Sequence, residues 1–425
     1  MQNTKYFKGK NVTIVGLARS GLACANLLYS LGAIVRVTDI NDNTHTKSFA
    51  VGLASKDILL ELGGHSEDFI KKADLVVVSP GVPDTAQPLI WARESAKPVI
   101  GEIELASMLC PAEVIAVTGS NGKTTVTTLI SRVLAECGKR VFVCGNIGNP
   151  FCAEVEKLKK GDFVVLEVSS FQLETIKNFK PKIAVILNLT PNHLDRYNNM
   201  QEYLDAKKRI FMNQDKKDFL VLNADDPALR PVASESKSKA VFFDREAGLN
   251  PNQNAVIAVG GILGIKQEKI LKVFRDFKGI EHRMEEVEEI NGVKFINDSK
   301  ATTADSAIWA INNISSPIVL IAGGRHKGIN YRVILEAAKN KVKQAFLIGE
   351  AKDIIASDLS GAFPIAKVDT LKDAVIGSYG LAQPGDCVLF SPMCSSFDMF
   401  RDYEQRGEAF KKTVLDLARG AKPHG

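Results

Sequence analysis

Val114-Ile115-Ala116-Val117-Thr118-Gly119-Ser120-Asn121-Gly122-Lys123-Thr124-Thr125 is the stretch that decides how this chain folds. Its first residues form a short apolar, β-branched run, the pattern of a buried strand. Two glycines then turn the chain into Lys-Thr-Thr, where apolar residues take up helical spacing (Val126, Leu129, Ile130, Val133, Leu134). Strand, glycine turn and helix N-terminus together predict a phosphate cradle, because backbone N–H groups and the positive end of the helix dipole point at an anion. Lys123 offers a mobile charge to the outer phosphates and Thr124 a hydroxyl to Mg²⁺. The spacing Gly-x-x-Gly-Lys-Thr is shorter than the usual P-loop pattern, and an ordinary turn is the alternative.

A chain of 425 residues has room for two or three domains. Its 45% apolar and 24% charged residues are those of a globular protein and exclude a disordered chain. No run approaches the roughly 18 apolar residues of a membrane-spanning helix. The start, Met1-Gln2-Asn3-Thr4-Lys5, lacks the apolar core of a signal peptide. Seven scattered cysteines without a Cys-x-x-Cys pair fit reduced thiols in a cytoplasm. A net charge of +5 without a basic block suits small anionic substrates and not nucleic acid.

Upstream of the cradle, Asn11 to Gly16 reads as a buried strand, Gly16-Leu17-Ala18-Arg19-Ser20-Gly21 as a glycine turn, and Leu22 to Leu31 as a helix. The next strand, Ile34 to Asp39, ends in an acid. Such a βαβ unit puts a diphosphate at the helix N-terminus and a ribose-type hydroxyl near Asp39. Ala18 stands where a dinucleotide fingerprint needs its middle glycine, so NAD is disfavoured; a ligand-free packing unit is the other alternative. A further strand, Leu75 to Val78, ends in the turn Ser79-Pro80-Gly81, and Pro98 to Glu102 reads as a linker.

Downstream come Gly145-Asn146-Ile147-Gly148 and the strand Phe163 to Val168, which carries Glu167 within an apolar run. A buried carboxylate is costly unless paired or metal-bound, so Glu167 is a candidate Mg²⁺ ligand. The strand Ile183 to Asn188 leads to Asn192-His193-Leu194-Asp195, at a strand-to-loop junction that suits functional groups. Beyond residue 280, Asn291-Gly292 signals a hairpin. Asn297-Asp298-Ser299-Lys300 follows a strand, and two more strand-to-turn units appear at Ile318 to Gly328 and Val388 to Asp398. Alternating strands and helices predict a second doubly wound sheet.

The strings Thr-Gly-Ser-Asn-Gly-Lys-Thr-Thr, Gly-Asn-Ile-Gly, Glu-Val-Ser-Ser-Phe-Gln-Leu-Glu, Asn-His-Leu-Asp-Arg-Tyr and Ala-Lys-x-Arg-Ile occur in the order seen in Mur ligases, the ATP-dependent amino-acid ligases of peptidoglycan precursor synthesis. The chain resembles that family over nearly its whole length, most closely the branch that adds D-glutamate to UDP-N-acetylmuramoyl-L-alanine. The resemblance implies an α/β fold of three domains. Residues 1–101 would form a Rossmann-like UDP-binding domain, 102–280 a P-loop ATPase-like central domain, and 281–425 a Rossmann-like domain for the amino acid, with hinges near residues 101 and 280.

It implies that Gly119, Ser120, Asn121, Gly122, Lys123, Thr124 and Thr125 hold ATP, with Asn254, Arg283, Asp298 and Lys300 also near it. Thr124, Glu167, His193 and Lys207 would hold two Mg²⁺ ions, Lys207 as a carbamate formed with CO₂. Lys123, His193 and Lys207 would be the catalytic set. Arg19, Ser20, Asp39 and Gly81 would face UDP, and Asn146, Ser169 and Gln172 the muramoyl group. Thr302, Lys327, Ser396, Phe397 and Tyr403 would form the D-glutamate pocket. A monomer in the cytoplasm, without membrane or nucleic-acid partner, completes the expectation.

One departure stands out. The family's Gly-x-His-Asn-x-x-Asn-Ala helix start is here Gly248-Leu249-Asn250-Pro251-Asn252-Gln253-Asn254-Ala255, and the β-rich segment before it is shortened. The rivals are a ligase for another amino acid or a folate, a non-catalytic UDP-sugar binder, and a dehydrogenase.

Overall fold

The computed structural model describes residues 4–190, 196–244, 248–277, 279–326 and 328–421. They fall into two compact units, divided between residues 277 and 278. The first unit holds two parallel sheets. One runs Leu59–Leu62, Ile34–Asp39, Asn11–Val15, Leu75–Val78, Val99–Gly101 in spatial order. The other runs Lys239–Phe243, Phe219–Asn223, Ile183–Ile186, Glu113–Thr118, Phe163–Glu167, Val141–Gly145. All pairings in both sheets are parallel.

Parallel strands buried on both faces read as unbroken apolar runs, and here the period of two sorts each run between two cores. Ala116, Leu166, Ala184 and Ile186 point into one core, and Ile115, Val117, Val165 and Val185 into the other. The second of these cores is covered by the helix Lys123–Glu136 and by Pro251–Ile262 and Gln267–Asp276. The first is shared with the neighbouring sheet, through Val12, Ile14, Val35, Val37 and Val77.

That shared core corrects the linker reading of residues 98–102. Val99–Gly101 is an edge strand paired with Val76, Val77 and Val78, and Glu102–Ser107 is a helix that buries Ile103, Leu105 and Ala106. Its acids stitch the sheets together. The Glu104 carboxylate accepts the backbone N–H groups of Lys177, Asn178 and Phe179 at 2.9, 2.8 and 2.9 Å. Glu102 Oε1 accepts the Cys152 N–H at 2.6 Å. A segment fixed by strand pairing, apolar burial and four hydrogen bonds to its carboxyl groups is not a free hinge.

The second unit carries one sheet, in the order Glu285–Ile290, Val293–Asn297, Cys387–Phe390, Ile318–Gly323, Val342–Ile348, Ile365–Lys367. Only the first pair is antiparallel. Its connection is the expected Asn-Gly hairpin, with Asn291 at φ +50° and Gly292 at +77°. Helices lie on both faces, and the long helix Tyr403–Ala421 packs Phe410 and Val414 against Phe390 and Phe295. No described helix is long and apolar enough to cross a membrane.

Glu102 is buried, its Oε2 has no hydrogen-bond partner among the described residues, and burial raises its pKa from 4.5 to about 7. Between those values the folded chain holds a proton that the unfolded chain releases. This group's contribution to stability therefore falls as pH rises from 4.5 to about 7, by about 3 kcal/mol, and levels off above. Denaturant unfolding of the wild type and Glu102→Gln at about pH 5 and about pH 8 tests this, with a smaller pH difference expected in the neutral variant. Equal pH differences in the two proteins would refute it.

Candidate active site

The glycine turn leaves the carboxyl end of Glu113–Thr118 and enters the helix Lys123–Glu136 through Gly122, at φ +81°. No side chain caps that helix, which leaves its N-terminus shaped by backbone alone. The strand Ile183–Ile186 and the residues after it hold the turn in place. Ser120 Oγ donates to the Thr190 carbonyl (3.0 Å) and accepts the Thr190 N–H (2.9 Å). Asn188 Oδ1 accepts the Asn121 N–H (2.8 Å), while its amide nitrogen donates to the Asn121 carbonyl (3.1 Å). Asn188 and Thr190 were not singled out from the sequence; two polar residues directly after an apolar strand were the available signal.

Two lysines converge on one carbonyl. Lys123 Nζ donates to Gly119 O and to Ser120 O, both at 2.9 Å. Lys207, from the helix Met200–Lys208, donates to the same Gly119 O at 3.0 Å and sits 4.2 Å from the centre of the Tyr203 ring. Lys207 is only 1% exposed. Burial, and then the charge of Lys123, hold its pKa well below the usual lysine range. Although its helix ends in a basic run, Lys207 faces inward beside Ala206 and Tyr203.

Glu167 ends the strand Phe163–Glu167 and is 2% exposed. The Asn146 amide donates to its Oε1 at 2.7 Å, and Oε2 has no partner among the described residues. A buried carboxylate oxygen left over in this way fits a cation ligand. Asn146 thus orients Glu167. Ser169 and Gln172 meet each other in a reciprocal helix cap at the start of Ser170–Glu174. Thr124 is buried in the first turn of its helix, next to half-buried Thr125.

At the first sheet, the helix Arg19–Ser30 starts earlier than the sequence suggested, so Arg19 and Ser20 lie in its first turn. The Arg19 guanidinium donates to the Gly148 carbonyl at 2.6 Å. Asp39 braces the glycine turn: its Oδ2 accepts the Leu17 N–H at 2.7 Å, and its Oδ1 accepts from Asn41. Ser79 donates to the Gly16 carbonyl at 2.8 Å, and the space around Gly81 is open.

Asn254 lies in the helix Pro251–Ile262, where its Nδ2 donates to the Asp244 carbonyl at 2.7 Å and its buried Oδ1 has no partner among the described residues. His193 lies outside the described residues, as does Lys327.

In the second unit, Asp298 is buried and accepts the Ser391 hydroxyl (3.0 Å) and the Met284 N–H (3.2 Å). Burial pushes its pKa up to about 7 against those bonds and the charge of Arg283. Lys300 Nζ lies 5.5 Å from the centre of the Tyr403 ring. Thr302 is half-buried, Ser396 is buried and Phe397 is exposed. Glu281, His282 and Glu408 also cluster here, but Lys411 already pairs with Glu281 and Glu408.

A cavity of about 300 Å³ lined by Cys110, Glu113, Lys180, Lys182 and Asp218 opens at the amino ends of the middle strands, the end away from Gly119. Its lysines are paired with Asp215 and Asp218, and it takes no part in the site.

Three α/β sheets, a shortened phosphate loop and a buried lysine–carboxylate set define a nucleotide-dependent enzyme. Family models match along the chain: the Mur ligase MurD-like N-terminal domain at residues 10–101, the Mur ligase middle domain at 117–270 and the Mur ligase glutamate ligase domain at 282–394. The chain belongs to the Mur ligase family.

It is 42% identical to the UDP-N-acetylmuramoylalanine--D-glutamate ligase of Geotalea daltonii, over 97% of this chain and 99% of that one. It is also 42% identical to the enzyme of that name in Geotalea uraniireducens, over 97% and 98%. The first alignment runs over 447 positions against 425 residues here, so this chain carries gaps relative to that relative. Among solved structures, UDP-N-acetylmuramate-alanine ligase from Thermotoga maritima shares the fold, with a TM-score of 0.58 and 20% identity over 96% of this chain and 100% of that one.

A Cβ built on Gly122 would overlap Asn252 Oδ1, and its φ of +81° is unfavourable for any L side chain. The Asn252 amide can swing away, so conformation sets the cost, about 1–2 kcal/mol. Gly122→Ala is expected to weaken nucleoside triphosphate binding about tenfold or more by isothermal titration calorimetry. Unchanged affinity would show that the turn is not the phosphate site.

Proposed function

We propose that this chain joins D-glutamate to UDP-N-acetylmuramoyl-L-alanine with cleavage of ATP, in peptidoglycan precursor synthesis. The names of relatives 42% identical over nearly the full length support the substrates. The observation that carries the chemistry is the pair Lys123 and Lys207 on the Gly119 carbonyl, with the leftover oxygen of Glu167 in the same sheet. Our division into domains at 1–101, 102–280 and 281–425 rests on the three sheets and the three matched family segments.

A carboxylate is a poor electrophile. Attack of the substrate carboxylate on the γ-phosphorus of ATP gives an acyl phosphate and ADP. The D-glutamate amine, once deprotonated, adds to the acyl carbon, and the tetrahedral intermediate expels phosphate. Lys123, at the start of the helix that follows the glycine turn, would follow the transferring phosphoryl group. Mg²⁺ supplies charge neutralisation at the phosphoryl oxygens, and Thr124, Glu167, His193 and a carbamylated Lys207 would hold it.

Lys207 suits carbamylation because its burial favours the neutral amine. The neutral amine forms an N–C bond to CO₂ and loses one proton, which leaves an anion beside Lys123. Arg19, Ser20, Asp39 and Gly81 are assigned to UDP, and Asn146, Ser169 and Gln172 to the muramoyl side. Asn254, Arg283, Asp298 and Lys300 are assigned to ATP. Thr302, Lys327, Ser396, Phe397 and Tyr403 are assigned to D-glutamate, where hydroxyls and a lysine match two carboxylates. The reading is of a monomeric cytoplasmic enzyme without membrane or nucleic-acid partner, in line with its mild, dispersed charge.

ADP release by the purified chain with Mg²⁺, ATP, bicarbonate and UDP-N-acetylmuramoyl-L-alanine should depend on D-glutamate and vanish in Lys123→Ala. No release with D-glutamate, despite retained binding of the UDP substrate, would leave a non-catalytic binder. In ¹³C-bicarbonate the wild type should show a carbamate carbon signal by NMR that Lys207→Arg lacks. A signal unchanged by that substitution would remove Lys207 from the metal set.

A further inference from the structure

Arg406 lies in the first turn and a half of the helix Tyr403–Ala421 and is 1% exposed. Its guanidinium makes no ion pair among the described residues. Nε donates to Ser299 Oγ (3.1 Å), one terminal nitrogen to the Ser299 carbonyl (2.8 Å), and the other to the Cys394 carbonyl (3.1 Å). Asp398 is the acid whose field reaches it. One oxygen of Asp398 accepts the Glu350 N–H at 2.9 Å, and the other is buried without a partner among the described residues.

Burying a guanidinium without a contacting carboxylate is costly, and an apolar side chain of similar volume would fill the same space without that cost. Filling space is therefore not what the charge does. What it does is direct three acceptors in one plane, a geometry that the planar fork of arginine imposes and lysine cannot. Those acceptors belong to two segments. Ser299 lies between Asp298 and Lys300, and its hydroxyl also donates to the Tyr403 carbonyl (2.9 Å). Cys394 lies just before Ser395, Ser396 and Phe397.

Two other bonds join these segments, Met393 N–H to the Ala301 carbonyl (2.8 Å) and Ser391 to Asp298. Arg406 adds the tie that passes through the helix. The fit on the far side is close as well: a Cβ on Gly324 would stand 3.1 Å from the guanidinium and overlap the Ser395 carbonyl.

We propose that Arg406 is a positioning residue for the incoming amino acid. It locks the Asp298–Thr302 loop to the Ser391–Phe397 turn, so that the groups that bind the two carboxylates of the amino acid, on either side, keep one spacing. This rests on the assignment of Thr302, Ser396 and Phe397 to that substrate. Because no ion pair cancels its charge, the guanidinium also adds positive potential beneath a dicarboxylate.

The test uses the full chain with Arg406→Met and Arg406→Lys. In steady-state ligation the KM for D-glutamate should rise about tenfold or more in both, with the KM for the UDP substrate changed less than about twofold. Hydrogen–deuterium exchange should show residues 298–302 and 391–397 losing protection together. An unchanged D-glutamate KM, or a loss of thermal stability without a change in those two segments, would overturn the proposal. If Arg406→Met does not fold, Arg406→Lys decides by the same readouts. If the unmodified chain shows no D-glutamate-dependent turnover, the functional reading falls. The paired exchange response then still decides whether Arg406 ties the segments.

Discussion

The carbonyl oxygen of Gly119 accepts from two lysine side chains, and the carboxyl end of the middle sheet is arranged around that fact. Two ammonium groups on one acceptor repel, and burial of Lys207 removes the water that would otherwise screen them. The cheapest resolution is for Lys207 to give up its proton, which is the direction in which its surroundings push it. A phosphate beside Lys123 or a carboxylate built on Lys207 relieves the same repulsion by adding negative charge. The turn can impose this arrangement because its backbone is fixed from the neighbouring strand end, through Ser120–Thr190 and Asn121–Asn188.

Buried charges elsewhere divide by how completely they are satisfied. Glu104 accepts three backbone N–H groups and acts as a staple between two sheets. Glu102, two residues earlier, accepts one backbone N–H at Oε1, and its Oε2 has no partner among the described residues. Glu167 is likewise half satisfied, and its one side-chain bond comes from Asn146, a residue on the adjacent strand end. A half-satisfied carboxylate is unstable unless something else completes it, so its position marks where a ligand belongs or where a proton resides. Glu102 lies in the shared core and takes the proton. Glu167 lies at the carboxyl ends of parallel strands, where such sheets bind ligands.

Much of this was legible in the residues. The glycine turn, the flanking strand and helix, the Asn-Gly hairpin and the doubly wound sheets each rest on local pattern, and local pattern is what a sequence displays. The failures share one cause, which is tertiary context. Pro98 to Glu102 reads as a linker because proline and glycine punctuate it, yet pairing with Leu75–Val78 and the core beneath Ile103 make it structure. Lys207 sits in a basic run that looks solvated, and only packing of the Tyr203–Ala206 face turns it inward. Asn188 and Arg406 act through backbone atoms distant in sequence, which no spacing rule can display.

The change of His-Asn to Asn250-Pro251 bears on how separable the two ends of the nucleotide site are. Asn250 and Gln253 cap each other reciprocally, and Pro251 occupies the first turn, where its missing N–H costs no helix bond. The altered string is therefore a sound helix start, and the helix still buries Ala255, Val256 and Val259 in the core it shares with Lys123–Glu136. Asn252 lies against Gly122, and Asn254 is anchored on Asp244 with its amide oxygen left over. Among the described residues, the bonds that fix Ser120, Asn121 and Lys207 come from other elements than this helix. Shortening and rewording this segment thus reshape the surroundings of Asn254, while the bonds that fix Ser120 and Asn121 run to the residues after Ile183–Ile186.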